Sequence, residues 1–310
     1  MSHLIQLENI VKDYRSMRAL DGVNLTIEPG ITGLLGPNGA GKSTMIKLLL
    51  GLVRVTSGSG RLLGYDLYSQ GREIRSRVGY MPEDDCYVPG MSGVEVVQFS
   101  ACLAGLPRVE ALRRAHEILD FCGMKQERYR EIDTFSTGMR QKVKFAAAIV
   151  HDPDFLILDE PTSGLDPEER EALLSRIRLL SRENGKSVLI STHILPDVQA
   201  ICDDVVILAA GKVRLHERLQ TLSQTNSPSF NVRVLGDRDA FVQEVSHAGL
   251  KSVAAENGGL DISSDSPGLS EMIWGCVARS GVTVQSLLPA KNSLEEIFMA
   301  TVREAADANS

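Results

Sequence analysis

The residues Gly36-Pro37-Asn38-Gly39-Ala40-Gly41-Lys42-Ser43-Thr44 carry the densest chemistry in the chain. Gly36, Gly41, Lys42 and Ser43 meet the spacing G-x-x-x-x-G-K-[ST] of a loop that cradles a polyphosphate. Glycines let backbone N–H groups turn toward phosphate oxygens where side chains would collide with them. Lys42 offers a point charge to the β- and γ-phosphates, and the Ser43 hydroxyl can ligate Mg²⁺. Two further groups suit the same chemistry. Asp159 and Glu160 end the apolar run Phe155-Leu156-Ile157-Leu158, and His193 closes the run Val188–Thr192. Beside a phosphate loop, Asp159 can hold Mg²⁺ through its water shell. Glu160 can accept a proton from an attacking water. His193 can hydrogen-bond a γ-phosphate.

Such groups meet only if a sheet brings them to one edge. Leu4–Leu7, Leu25–Ile27 and Ile31–Leu35 read as strands, with a Pro29-Gly30 turn between the last two. After the loop, Ile46, Leu49, Leu50 and Val53 recur at helical spacing, so the helix aims its N-terminal dipole at the same phosphates. Residues from about 83 to 150 read as helical. Phe155–Leu158, Val188–Ile190 and Val205–Leu208 are continuous apolar runs, which predict a buried parallel sheet with helices between. The expected fold is therefore an α/β phosphate-loop core over residues 1–220, interrupted by a helical insertion.

A polar stretch, Thr221–Ser229, reads as a linker. Residues 229–310 then predict a small α+β unit. It has a strand at Phe230–Leu235 and a helix around Phe241, Val245 and Ala248. Two strands flank Asn257-Gly258-Gly259. A helix opens at Ser266-Pro267, with Leu269, Met272, Ile273, Cys276 and Val277 on one face. A strand at Val282–Leu287 and a last helix with the capping box Ser293-x-x-Glu296 complete it. The order β-α-β-β-α-β-α is compatible with a ferredoxin-like split βαβ.

Composition narrows the partners. The 310 residues carry a net charge of −7, so no global positive field advertises a nucleic-acid partner. Cys86, Cys102, Cys122, Cys202 and Cys276 are odd in number and form no C-x-x-C, which argues against a disulfide framework or zinc site. The sequence shows no apolar stretch near the roughly 20 residues that span a bilayer. If a membrane is involved, another polypeptide is expected to supply it.

In motif order, residues 1–220 resemble the ATP-binding subunit of ATP-binding cassette (ABC) transporters. The resemblance implies a P-loop NTPase core that binds ATP and Mg²⁺. It implies that Tyr14 stacks on adenine, that Asp159 coordinates Mg²⁺, that Glu160 is the catalytic base, and that Asp166 belongs to the loop joining two active sites. His193 matches the family's switch histidine. The signature segment falls at Phe135-Ser136-Thr137-Gly138-Met139, where the usual form is Leu-Ser-Gly-Gly-Gln. Ser136 and Gly138 are kept; Thr137 and Met139 depart. Ser136 can cap a helix with Met139, Val143, Ala146, Ala147 and Val150 on its apolar face, a second phosphate-seeking N-terminus. Glu83, in Val78-Gly79-Tyr80-Met81-Pro82-Glu83, stands where the family usually has a glutamine near Mg²⁺. Leu294-Glu295-Glu296-Ile297-Phe298 resembles the closing helix of the export subfamily.

The resemblance implies a homodimer of cassettes around two ATP molecules, bound peripherally at the cytoplasmic side of the cell membrane. Each site would take its phosphate loop, Asp159, Glu160 and His193 from one chain, and Ser136 and Gly138 from the other. A separate membrane permease would receive the motion. Two rival readings are a non-transport ABC ATPase in a soluble complex and a regulatory module that senses ATP without turnover. One cassette without sustained heptads weighs against the first, and Glu160 against the second.

Overall fold

Alternating burial along Ile5-Gln6-Leu7 and again along Leu25-Thr26-Ile27 builds a long antiparallel hairpin, β1 (Ile5–Tyr14) and β2 (Met17–Ile27). The computed structural model describes residues 3–15, 17–222, 229–255, 258–264, 268–289, 294, 297–299 and 301. It divides into two compact units. One holds Met1–Leu219 together with Phe298–Ser310, and the other Gln220–Ile297. The expected second unit, 229–310, differs at its end: Phe298 stands with the first unit, whose cleft it helps to line.

In the first unit, β3 (Ile31–Leu35) is buried throughout and leads through the phosphate loop into α1 (Lys42–Leu49). Gly51, at φ 66°, ends that helix with a Schellman pair, its N–H reaching Leu48 O at 2.9 Å and that of Leu52 reaching Lys47 O at 2.8 Å. Val53, expected on the apolar face of this helix, therefore lies beyond it. Met45 and Leu48 are buried beside Ile46 and Leu49 instead. β4 (Ser57–Leu62) and β5 (Tyr65–Asp66) extend the hairpin into a four-stranded sheet, order β2-β1-β4-β5.

α2 (Gly71–Arg77) and β6 (Val78–Met81) precede the insertion, whose helices are α3 (Gly93–Leu103), α4 (Arg108–Phe121) and α5 (Thr137–Ile149). The helical region starts at Gly93 rather than 83. A reciprocal capping box between Ser92 and Glu95 sets the start, leaving residues 82–91 as the loop that carries Glu83. The chain returns through β7 (Phe155–Asp159), α6 (Pro167–Arg182), β8 (Ser187–Ser191), α7 (Leu195–Ile201), β9 (Asp204–Ala209) and β10 (Lys212–Arg218). The second sheet runs β10-β9-β3-β8-β7-β6, with every neighbouring pair parallel except β9/β10. The apolar runs Phe155–Leu158, Val188–Ile190 and Val205–Leu208 are buried on both faces, as a covered parallel sheet requires. One apolar cluster joins that sheet to the insertion helices, and a second joins it to α1 and the antiparallel sheet.

After the short helix α8 (Leu219–Leu222), the second unit is built from β11 (Ser229–Leu235), α9 (Arg238–His247), β12 (Lys251–Ala254), β13 (Leu260–Ser263), α10 (Leu269–Ser280) and β14 (Thr283–Pro289). Its sheet runs β12-β13-β11-β14 with all pairs antiparallel, the order of a split βαβ. Leu269, Ile273, Cys276 and Val277 pack with Phe241, Val245 and Val232 in its core. The linker residues 223–228, Asn257, the helix start Ser266-Pro267 and the capping box Ser293/Glu296 lie outside the described residues.

Candidate functional site

Register places the chemistry at one edge. β7 pairs with β8 so that Asp159 stands opposite Ser191, and β3 pairs with β8 so that Leu34 does too. The carboxyl ends of β3, β7 and β8 thus open onto a common crevice, the usual place for a ligand in an open α/β sheet. The crevice is a cleft of about 500 Å³. It is lined by the whole loop Gly36–Thr44, by Met17 and Ala19 of β2, and by Glu83, Asp159, Glu160, His193 and Phe298.

The loop's glycines are dictated by close approach. A Cβ on Gly36 would stand 2.3 Å from the Leu208 carbonyl oxygen. Gly41 has φ 107°, and a Cβ there would meet Ala19 O at 2.6 Å. Gly41 also caps α1 without any side-chain bond, and the first turn has no acidic residue. The free N–H groups and positive dipole end are therefore available to an anion. Lys42 Nζ donates to Gly36 O at 2.6 Å and Pro37 O at 3.3 Å, which folds the ammonium over the loop. Burial pushes its pKa below the ordinary lysine value, while Glu160, Asp159 and Glu83 act in the opposite direction.

Glu160 is buried and adopts φ 48°, an uncommon backbone state for a residue with a side chain. The strain is held by three bonds. Its N–H donates to Ser191 O at 2.8 Å, Thr192 Oγ1 donates to Oε2 at 3.2 Å, and His193 Nδ1 lies 2.9 Å from Oε1. Burial raises the Asp159 carboxyl above the usual range. The Ser191 hydroxyl draws it down, Glu83 and Glu160 raise it further, and Lys42 lowers it. Hard oxygen donors from Ser43, Glu83 and Asp159 beside a phosphate cradle fit Mg²⁺, an ion held largely through phosphates and waters. Among the described residues, no three His, Cys, Asp or Glu side chains form a metal-holding group.

Ser136, Gly138, Asp166 and Tyr14 do not line this cleft. Ser136 caps α5 by accepting from Met139 N at 3.3 Å, and Asp166 caps α6 by accepting from Glu169 N at 2.8 Å. Both side chains thus cap their own helices and are absent from the lining of the cleft. At Gly138 a Cβ would fall 1.9 Å from Glu169 Oε2, the far end of a partly exposed side chain that can move aside. Tyr14 ends β1 with its ring under the Lys12 ammonium, 4.6 Å from centroid to nitrogen.

Several polar groups around the site were not foreseen from the sequence. α5 buries Gln141 and Lys144 beside Val143 and Ala146; Met139 and Ala147 of the expected apolar face are only half-buried, and Phe145, Ala148 and Ile149 are buried instead. Lys144 Nζ donates to Glu83 O at 2.6 Å, and Gln141 Nε2 donates to Ser163 O at 3.2 Å. Asp197, buried on α7, accepts from Thr162 and Arg170, which fastens the segment after Glu160 to the helix after His193. A period-3.6 search for apolar residues passes over such positions.

Comparison with known proteins places the arrangement. The family model described as ABC transporter matches residues 20–163. The chain is 31% identical over 96% of its length, and 99% of the relative's, to the uncharacterized ABC transporter ATP-binding protein YxlF of Bacillus subtilis (strain 168). It is 33% identical over 98% of its length, and 93% of the relative's, to the daunorubicin/doxorubicin resistance ATP-binding protein DrrA of Streptomyces peucetius. Among solved structures, the dimeric bacterial ABC transporter cassette MJ0796 superposes with a TM-score of 0.65 at 25% identity, covering 69% of this chain and 98% of that one. With the phosphate loop, the strand-end carboxylates and the histidine at one sheet edge, and with relatives matched over nearly their full length, the chain belongs to the ATP-binding proteins of ABC transporters.

Proposed function

We propose that this chain is the ATP-hydrolysing subunit of an exporter, working at the cytoplasmic side of the cell membrane beside a separate permease. The observation that carries the hydrolytic part is Glu160, buried and oriented by His193 and Thr192 in the cleft of Lys42. The full-length match to an antibiotic-resistance protein supports export. Among the described residues, no helix is long and apolar enough to cross a membrane, so the path for cargo is assigned to another polypeptide.

In this reading the loop Gly36–Thr44 binds the polyphosphate with its N–H groups, and Lys42 swings from the Gly36 carbonyl onto the phosphates. Bound Mg²⁺, held by Ser43 with Asp159 and Glu83 near it, would neutralise phosphate charge. Glu160 accepts the proton of the attacking water. His193 releases Glu160 to contact the terminal phosphate. Met17 and Ala19 border the base end, and Tyr14, which does not line the cleft in this structure, is assigned to stack on adenine once the nucleotide is bound. Ser136, Gly138 and Asp166, lying outside this cleft, serve the nucleotide of a second copy in a head-to-tail homodimer. ATP then closes the pair by binding the closed state more tightly than the open one.

The test is steady-state phosphate release by the purified chain, followed by crosslinking in native membranes. Mg²⁺-dependent release together with a crosslinked membrane-spanning partner is expected. Release without any such partner would favour a non-transport ATPase, and no release would favour a sensor.

A further inference from the structure

α5 begins at Ser136 and, along its length, grips two loops that reach the cleft. Lys144 is 6% exposed on a helix that also buries Val143, Phe145, Ala146 and Ala148, and its Nζ donates to the Glu83 carbonyl at 2.6 Å. One turn earlier, Arg140 Nη1 reaches Asp85 Oδ2 at 3.4 Å, and Tyr87 Oη shares that oxygen at 3.2 Å. On the adjoining face, Gln141 holds the Ser163 carbonyl. An ammonium in such surroundings is costly unless its bond is worth the burial. An aliphatic residue would satisfy the packing of α5 equally well. The bond to the Glu83 carbonyl, together with the carboxylates of Asp85, Asp84 and Glu83 that act on the ammonium, is what distinguishes lysine here.

We infer that Lys144 is a positioning residue, tying the loop that presents Glu83 to this chain's nucleotide to the helix that presents Ser136 to the second nucleotide. The inference rests on the reading of Glu83 and Ser136 proposed above. With the tie made, displacement of Glu83 by a metal–nucleotide is carried along α5 to its capped N-terminus. Without it, the phosphate cradle is intact but the two ends of the linkage move independently.

The experiment uses the full chain, with ATP affinity, kcat, the Mg²⁺ midpoint of phosphate release and thermal melting measured on each variant. Lys144→Met keeps the stem and removes the donor; Lys144→Arg keeps a donor. Lys144→Met is expected to bind ATP within about two-fold of wild type but to lose about ten-fold in kcat, as a misplaced group does, and to shift the Mg²⁺ midpoint. Lys144→Arg should recover most of both. Glu83→Ala should itself shift the midpoint, and adding Lys144→Met to it should change kcat by less than about two-fold, since coupled residues are non-additive. If Lys144→Met melts below the assay temperature, Lys144→Gln replaces it, its amide stopping short of the carbonyl.

Equal losses in the wild-type and Glu83→Ala backgrounds would overturn the linkage while leaving Glu83 in the site. A silent Glu83→Ala would remove Glu83 from the site, and the linkage with it. Wild-type kcat and midpoint in Lys144→Met would overturn the linkage directly.

Discussion

His193 Nδ1 lies 2.9 Å from Oε1 of Glu160, so an exposed imidazole rests on a buried carboxylate. With Thr192 on the other oxygen, both lone-pair edges of Glu160 are engaged before substrate arrives. The contact orients the carboxylate, and in the proposed mechanism it loosens for Glu160 to take a proton.

Glu160→Gln is therefore expected to keep ATP binding and slow phosphate release by roughly 10²–10⁴-fold, the contribution of a placed general base. His193→Ala should also lower turnover with binding preserved, because it frees Glu160 from its orienting partner. Lys42→Ala should weaken binding itself. Nucleotide titration alongside steady-state release separates the three, and wild-type turnover in Glu160→Gln would dismiss the base.

Gly138 tests how tightly the start of α5 is packed. A Cβ at this position would sit 1.9 Å from Glu169 Oε2, a carboxylate also held by Lys142 at 3.0 Å. Gly138→Ala should push the Glu169 carboxylate off Lys142 and destabilise the chain by no more than about 1 kcal/mol, the scale of a partly exposed ion pair. Glu169→Ala should relieve much of that cost, so the double variant should melt above the sum of the single effects. Strict additivity would mean that the crowding is absorbed elsewhere.

The loop Gly36–Thr44 and the pair Asp159–Glu160 were legible in sequence because their chemistry needs contiguous residues at fixed spacing. So were β3, β7, β8 and β9, whose uninterrupted apolar runs answer to burial on both faces. β4 was not read, since Ser57-Gly58-Ser59-Gly60 carries turn propensity and only pairing with β1 makes it a strand. Gly60 has its reason in three dimensions: a Cβ there would crowd Leu67 Cδ1 at 2.6 Å. Lys144 was invisible for a related cause. Helical periodicity finds the apolar stripe of α5 but not that its polar face is also covered, by the loop of Glu83.

His151 gives the chain a pH dependence of known sign. Its Nε2 lies 3.3 Å from the Val78 carbonyl, and burial holds its pKa below the ordinary 6.5. The unfolded chain then takes up this proton at a higher pH than the folded one. Stability is full above about 6.5 and is lost as pH falls toward the depressed value. Chemical denaturation from pH 7.5 to 5 should show a smaller loss for His151→Gln than for wild type. Parallel profiles would assign the acid sensitivity to other groups.

The composite site separates a cassette dimer from a self-contained phosphate-loop enzyme. Two variants are expected to be inactive alone. Lys42→Ala breaks the cradle, and Ser136→Arg puts bulk and charge at the start of α5, where Ser136 accepts from Met139 N. In a heterodimer of the two, one composite site collects both lesions. The other joins the intact loop of the Ser136→Arg chain to the intact α5 start of the Lys42→Ala chain. Mixing under conditions that allow subunit exchange should restore part of the phosphate release. Verified heterodimers that bind ATP no better than either parent would rule out the shared site. Restored binding without turnover would keep the shared site and add a requirement: both nucleotides must be in place before either is hydrolysed.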